Sequence, residues 1–174
     1  FTYLMALEQG RTAATVLADT PIEYITSTGT YQPVNFDRQF HGPVSIREAL
    51  ANSLNVPAVK LLDEIGGPSL LHDLMRDRLR FSRLDDSVAE YGLGLTLGNA
   101  EVRLLELTNA YACLARLGEY RPYRLVQRGQ PGGSTLLNAD SSPVFDPAAS
   151  WPIAELFSDT AAPPRSFCLC SSPH

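Results

Sequence analysis

A serine and an asparagine stand two residues apart, as Ser53-Leu54-Asn55, between two segments that carry helix signals. A serine hydroxyl can accept a proton and pass one on, and an asparagine amide can both donate to a carbonyl and accept from an N–H. Held at one break in the chain, the two side chains can point into one cavity and form a polar wall of an active site. The elements that must hold them lie within residues 41–67. Ser45 followed by Glu48 is a capping box, in which each side chain satisfies the other residue's backbone N–H, and it predicts the start of a first helix. Pro57 fits the first turn of a second helix, and Gly66-Gly67 predicts its end. Pro57 also disfavours helical geometry at Val56, which places the break. The same residues have a purely structural use, because Ser and Asn commonly satisfy backbone groups at helix ends. His41 reads as a structural or surface residue rather than a general base, since lone histidines often occupy partly buried polar positions.

The run Tyr31 to Leu62, YQPVNFDRQFHGPVSIREALANSLNVPAVKLL, resembles the transpeptidase domain of class A penicillin-binding proteins, and in particular the 1C subfamily. The match runs through Tyr31, Pro33, Asn35, Phe36, Asp37, Gly42, Pro43, Val44, Ser45, Arg47, Glu48, Ala49, Leu50, Ser53, Asn55, Pro57 and Ala58. A second block, Tyr91 to Tyr111, resembles the family segment L-G-x-x-E-V-x-x-L-E-L-x-N-A-Y. Asp19 resembles a position in the family's V-x-D-x-P segment, although the local sequence reads as a solvated turn aspartate.

The resemblance implies an α/β penicilloyl-serine transferase fold, of the β-lactamase and transpeptidase type. This chain would supply mostly the helical part, with few short strands. It implies a partial transpeptidase domain over residues 1–161 and an irregular tail over 162–174. It implies a D,D-transpeptidase that cross-links peptidoglycan stem peptides ending in D-Ala-D-Ala through an acyl-serine, binds β-lactam antibiotics and needs no cofactor. Three motifs converge in such sites, and this chain carries the second of them, with Ser53 and Asn55 as its catalytic residues. The family's Ser-x-x-Lys would lie just upstream of Phe1, and its Lys-Thr-Gly strand downstream of the chain. The fragment alone is therefore expected to be inactive. A membrane-anchored parent at the periplasmic face of the bacterial inner membrane, with or without a glycosyltransferase domain, follows from the resemblance alone. Two other readings are a serine β-lactamase or D,D-carboxypeptidase on the same fold, and a non-catalytic relict or interaction module.

The rest of the chain frames that site. Its 174 residues are 44% hydrophobic and 19% charged with a net charge of −5, a globular composition with no basic footprint for nucleic acid. No apolar run is long enough to cross a bilayer. Phe1, Leu4, Met5 and Leu7 predict an amphipathic helix that ends near Gly10 and begins before Phe1. Residues 11–44, punctuated by Pro and Gly, predict irregular chain with at most one short extended piece. Leu70, Leu71, Leu74, Met75 and Leu79 predict a helix face after Gly67, and the alternating charges of 75–86 a solvated one. Gly92, Gly94 and Gly98 predict a loop without the glycine pattern of a phosphate cradle. Leu104, Leu107, Tyr111 and Leu114 predict one buried face of a helix over 100–117, with Cys113 a small core residue. A short strand is expected over 120–127, loop over 128–147, and a helix over 147–161. That last helix would bury Trp151, Ile153, Leu156 and Phe157 and hold Pro152 in its first turn. Cys168, Cys170 and His174 match no standard zinc spacing.

Overall fold

In the computed structural model, residues 1–26, 29–84, 87–123 and 141–158 are described. The capping box forms as expected. The Ser45 hydroxyl accepts from Glu48 N at 3.2 Å, and the Glu48 carboxylate accepts from Ser45 N at 2.9 Å. It opens helix α2, Ile46–Ala51. The bonds Ile46 N to Thr15 O (2.9 Å) and Arg47 N to Ala13 O (3.0 Å) fix the same turn to the preceding segment. Replacing Ser45 with Ala is expected to cost about 1 kcal/mol, read from the midpoint of urea unfolding.

The apolar run after the break forms α3, Asn55–Ile65, a largely buried helix. Val56, Val59, Leu61 and Leu62 are sealed from solvent on more than one face. It packs against α1, Thr2–Glu8, whose Leu4, Met5 and Ala6 are buried, as the spacing of apolar residues predicts. Gly66 ends α3 with φ 134°, a conformation that favours glycine. The chain then turns directly into α4, Gly67–Asp73, which continues as one π-helical turn, Leu74–Arg78. Leu71, Leu74, Met75 and Leu79 are buried as expected, whereas Leu70 is exposed.

Residues 11–44 are more ordered than their composition suggests. They hold four short strands: β1 (Val16–Asp19), β2 (Tyr24–Thr26), β3 (Gly29–Tyr31) and β4 (Gly42–Ser45). β1 pairs antiparallel with β4, with Leu17 opposite Val44 and Asp19 opposite Gly42; β2 pairs with β3. Pro43 is tolerated because this ladder has only two strands, so its missing N–H can face outward. Alternation along β1 turns Leu17 and Asp19 to the same buried side.

Further along, α5 (Val88–Tyr91) leads into a 3₁₀ segment, Gly92–Leu97, where a loop was expected; it buries Leu95 against the core. Helix α6, Leu104–Ala115, buries Glu106, Ala110, Cys113 and Leu114. The expected face is therefore rotated: Leu104 is 78% exposed and Tyr111 half exposed. Glu106 turns inward because its carboxylate accepts from Ser82 N (3.1 Å) and Ser82 Oγ (2.6 Å), while the small Ala110 and Cys113 let neighbouring elements approach. The Cys113 thiol is fully buried, and desolvation pushes its pKa up to about 11. With Cys168 and Cys170 changed to Ser, the native chain is expected to resist a thiol reagent at pH 8 and to react promptly in urea.

Strand β5 (Glu119–Tyr120) pairs with β6 (Ser142–Pro143); the expected strand beyond 123 and most of the expected loop lie outside the described residues. Helix α7, Pro147–Ser158, follows. Pro152 lies in its second turn rather than its first, where it forgoes one backbone bond of the helix. Ile153 and Leu156 are buried as expected, but Trp151 is 59% and Phe157 57% exposed. Ala149 and Ser150 take the inner positions, so a smaller face meets α6 and α1. Arg47 of α2 donates to Glu155 of α7 at 2.9 Å, tying this last helix to the central stretch. The tail with Cys168, Cys170 and His174 lies outside the described residues. The architecture is thus rich in helix, with a few short antiparallel strands.

Candidate active site

Ser53 sits at the end of α2 in a specific backbone motif. Leu54 N donates to Ala49 O (2.9 Å) and Ser53 N to Leu50 O (3.1 Å), the bond pair of a Schellman turn. Ser53 itself holds φ 50°, the left-handed conformation that such turns usually give to glycine. The break therefore lies at Ser53-Leu54. Val56, expected to be non-helical, is inside α3, because the steric limit imposed by Pro57 is met within the first turn. The Ser53 side chain is exposed, and Leu54 beneath it is buried and anchors the turn.

Asn55 is the first residue of α3, and its Nδ2 donates to Val34 O at 2.9 Å. An amide nitrogen has two protons, so one remains for a ligand. Leu54, the N-cap residue of α3, has no polar side chain to satisfy the helix's first N–H groups. Asn35, far back in sequence, does so instead: its Oδ1 accepts from Val56 N at 3.1 Å. Pro57, next along, has no N–H that needs a partner.

Asn35 is in turn held from below. Its Nδ2 donates to Gln39 O (2.8 Å) and to both oxygens of Asp19 (2.9 and 2.8 Å). Asp19 is wholly buried rather than a solvated turn residue. Its Oδ2 also accepts from His41 N (2.9 Å) and lies 2.8 Å from His41 Nδ1. The other ring nitrogen, Nε2, is 3.1 Å from Asp37 Oδ2. His41 thus has the structural place expected of it. Lys60 of α3 donates to Ala18 O (3.0 Å), Thr20 O (2.8 Å) and Thr20 Oγ1 (2.8 Å), fastening the end of β1 to the same helix. Tyr3 of α1 approaches from the other side; burial, and then the Asp19 charge, hold its phenol well above the usual range.

The structure therefore brings Ser53 and Asn55 to one break, caps the head of α3 with Asn35 on a base of Asp19 and His41, and ties the end of β1 to α3 through Lys60. Asp19 and Lys60 were not singled out by residue type. Their signal was positional: Asp19 alternates with a buried leucine in β1, and Lys60 is the chain's only lysine. Among the described residues no group of three His, Cys, Asp or Glu could hold a metal ion, and no helix is long and apolar enough to cross a membrane.

This helix-rich arrangement is that of penicillin-binding proteins. Over 70% of the chain it superposes on 18% of penicillin-binding protein 1A from Haemophilus influenzae, with TM-score 0.60 and 30% identity. A peptidoglycan glycosyltransferase from Burkholderia ambifaria shares the fold over 90% of this chain and 52% of its own, with TM-score 0.70 and 16% identity. In sequence the chain is 37% identical to penicillin-binding protein 1C of Escherichia coli K12 over 164 residues, 94% of this chain. It is thus a homologue of penicillin-binding proteins 1C and 1A, and it spans about one fifth of the length of the curated relatives it matches. No protein-family model matches the chain.

Proposed function

We propose that this chain is the segment of a peptidoglycan D,D-transpeptidase that carries its Ser-x-Asn wall. The observation that carries the reading is Ser53 in a left-handed turn, with Asn55 one turn-width away at the head of α3. Backbone strain of this kind is kept where surrounding structure enforces it, and such positions cluster at functional sites. The long residue pattern around the triplet, together with homology to proteins named for penicillin binding, supports the same reading.

The chemistry follows from the groups. An upstream serine, activated by the lysine of its own Ser-x-x-Lys, attacks the carbonyl of a D-Ala-D-Ala bond. The C–N bond breaks, the acyl group stays on that serine as an ester, and D-Ala leaves with a proton. The Ser53 hydroxyl relays the proton between lysine and departing amine. The free Asn55 N–H holds a backbone carbonyl of the stem peptide. An amine of a second stem peptide then attacks the ester, forming the cross-link and releasing the serine. A β-lactam enters the first step and remains as a slow acyl-enzyme. Residues 1–161 form part of that domain, in a membrane-anchored envelope protein facing the periplasm.

The test is covalent labelling of the full-length source protein with a fluorescent penicillin. A stable adduct on a serine just upstream of Phe1 is expected, while residues 1–174 alone take no label. Rapid turnover of the adduct would instead indicate a β-lactamase or carboxypeptidase. Peptidoglycan polymerisation without any penicillin adduct would overturn the reading.

A further inference from the structure

Ser53 is held in a conformation that its own residue type disfavours, and neither helix beside it supplies the side chain that caps α3. What caps the helix after the turn comes from elsewhere in the chain. Asn35 spans the gap, with Oδ1 on Val56 N and Nδ2 on Asp19, and the next backbone carbonyl back, Val34 O, receives the Asn55 amide. Asp19 is wholly buried and accepts from Asn35 and from His41 through both its oxygens. The route from β1 through Asp19 and Asn35 to the first turn of α3 is therefore an unbroken chain of bonds 2.8 to 3.1 Å long.

We infer that Asp19 and Asn35 are positioning residues for Ser53 and Asn55: a buried carboxylate–amide clamp that sets where the head of α3 begins. This inference rests on the functional reading above for its catalytic consequence, but its structural content stands apart. The clamp has a defined polarity. Asn35 must accept at one end and donate at the other, so it cannot become Asp while Asp19 remains, because two carboxylates would then face each other. Asp19 cannot become Asn alone, because its NH₂ would face either the Asn35 NH₂ or the His41 N–H, a donor against a donor in both cases. Exchanging both restores the donor–acceptor match between the two positions. Asn at 19 can accept from His41 through Oδ1 and donate through Nδ2, and Asp at 35 can still accept from Val56 N. The bond to Gln39 O is lost and a carboxylate oxygen at position 35 comes to face that carbonyl, so the exchange repairs the 19–35 contact and leaves this one broken.

The experiment compares D19N, N35D and the D19N/N35D exchange in the full-length source protein. It measures the second-order rate of acylation by fluorescent penicillin, the melting temperature, and amide hydrogen exchange at Leu54 and Val56. F81L, a core change outside the clamp, serves as a control for lost stability. Each single variant is expected to acylate about ten- to a hundredfold more slowly, the effect of small misplacements near a reacting centre, and to exchange faster at Val56. The exchange variant is expected to recover part of the lost rate, acylating at least about threefold faster than either single variant, with F81L keeping the rate despite its lower melting temperature. Single variants that lose only melting temperature, or a double variant no better than either single, overturn the inference. If neither single variant folds, an exchange variant that folds and acylates supports the clamp, and one that does not overturns it. Absence of labelling in the unsubstituted protein sinks the transpeptidase reading alone. The clamp is then judged by Val56 exchange, which must rise in the single variants and fall back in the exchange.

Discussion

Replacing Ser53 with Gly is expected to make the fold more stable and the intact enzyme nearly inactive. The stability gain comes from the backbone. Ser53 holds φ 50°, and a side chain in that region costs roughly 1–2 kcal/mol. Glycine removes that cost but adds freedom to the unfolded chain, worth about 0.4–1 kcal/mol in the other direction. The net gain is about 0.5–1 kcal/mol, read from the urea midpoint of the chain. Ser53→Ala keeps the left-handed cost, so its stability stays within about 0.5 kcal/mol of the original. Both variants lose the hydroxyl. If Ser53 relays a proton, acylation of the source protein by penicillin falls by about 10²–10⁴-fold in each, the usual size of an acid–base contribution. The pair separates the two readings of this serine. Ala with unchanged acylation would leave Ser53 a turn residue only. Equal loss of rate in Ala and Gly, with only Gly more stable, would place the defect in the hydroxyl.

Replacing Asp19 with Ala carries the largest expected loss of stability. Both carboxylate oxygens are buried and engaged, by Asn35 Nδ2 and by the backbone and ring of His41. Alanine leaves the His41 N–H and ring nitrogen without that partner and turns one end of the Asn35 amide loose. Each buried polar group left without its partner costs about 1–3 kcal/mol, and several are released here, a large share of the roughly 5–15 kcal/mol that holds a typical domain together. Chemical denaturation is the measurement. A loss below about 1 kcal/mol would mean that water replaces the carboxylate and that the network is not sealed.

The contrast between Asp19 and Ser45 shows what a sequence conveys about this chain. Ser45 and Glu48 satisfy each other within one helical turn, so three residues of sequence were enough to read their roles. The start of α2, the ends of α1 and α3 and the start of α7 were legible for the same reason: caps, prolines and apolar spacing act locally. The short strands of residues 11–44 were not, because β1 meets β4 across more than twenty residues and neither shows alternation long enough to register. On α6, spacing pointed to Leu104 and Tyr111, but the bond from Ser82 turned Glu106 inward and rotated the face.

The same division runs through the candidate site. By itself the sequence determined that a serine and an asparagine stand at a break between two helices, the first of them capped, within a pattern resembling one family's second motif. Their placement needed only residue type and adjacency. That Ser53 occupies a left-handed turn, that Asn35 caps a helix it does not belong to, and that a wholly buried aspartate anchors both was decided by the tertiary structure. Those facts depend on groups sixteen to twenty-two residues apart meeting out of water, where a polar group that lacks a partner costs more than the chain can readily lose.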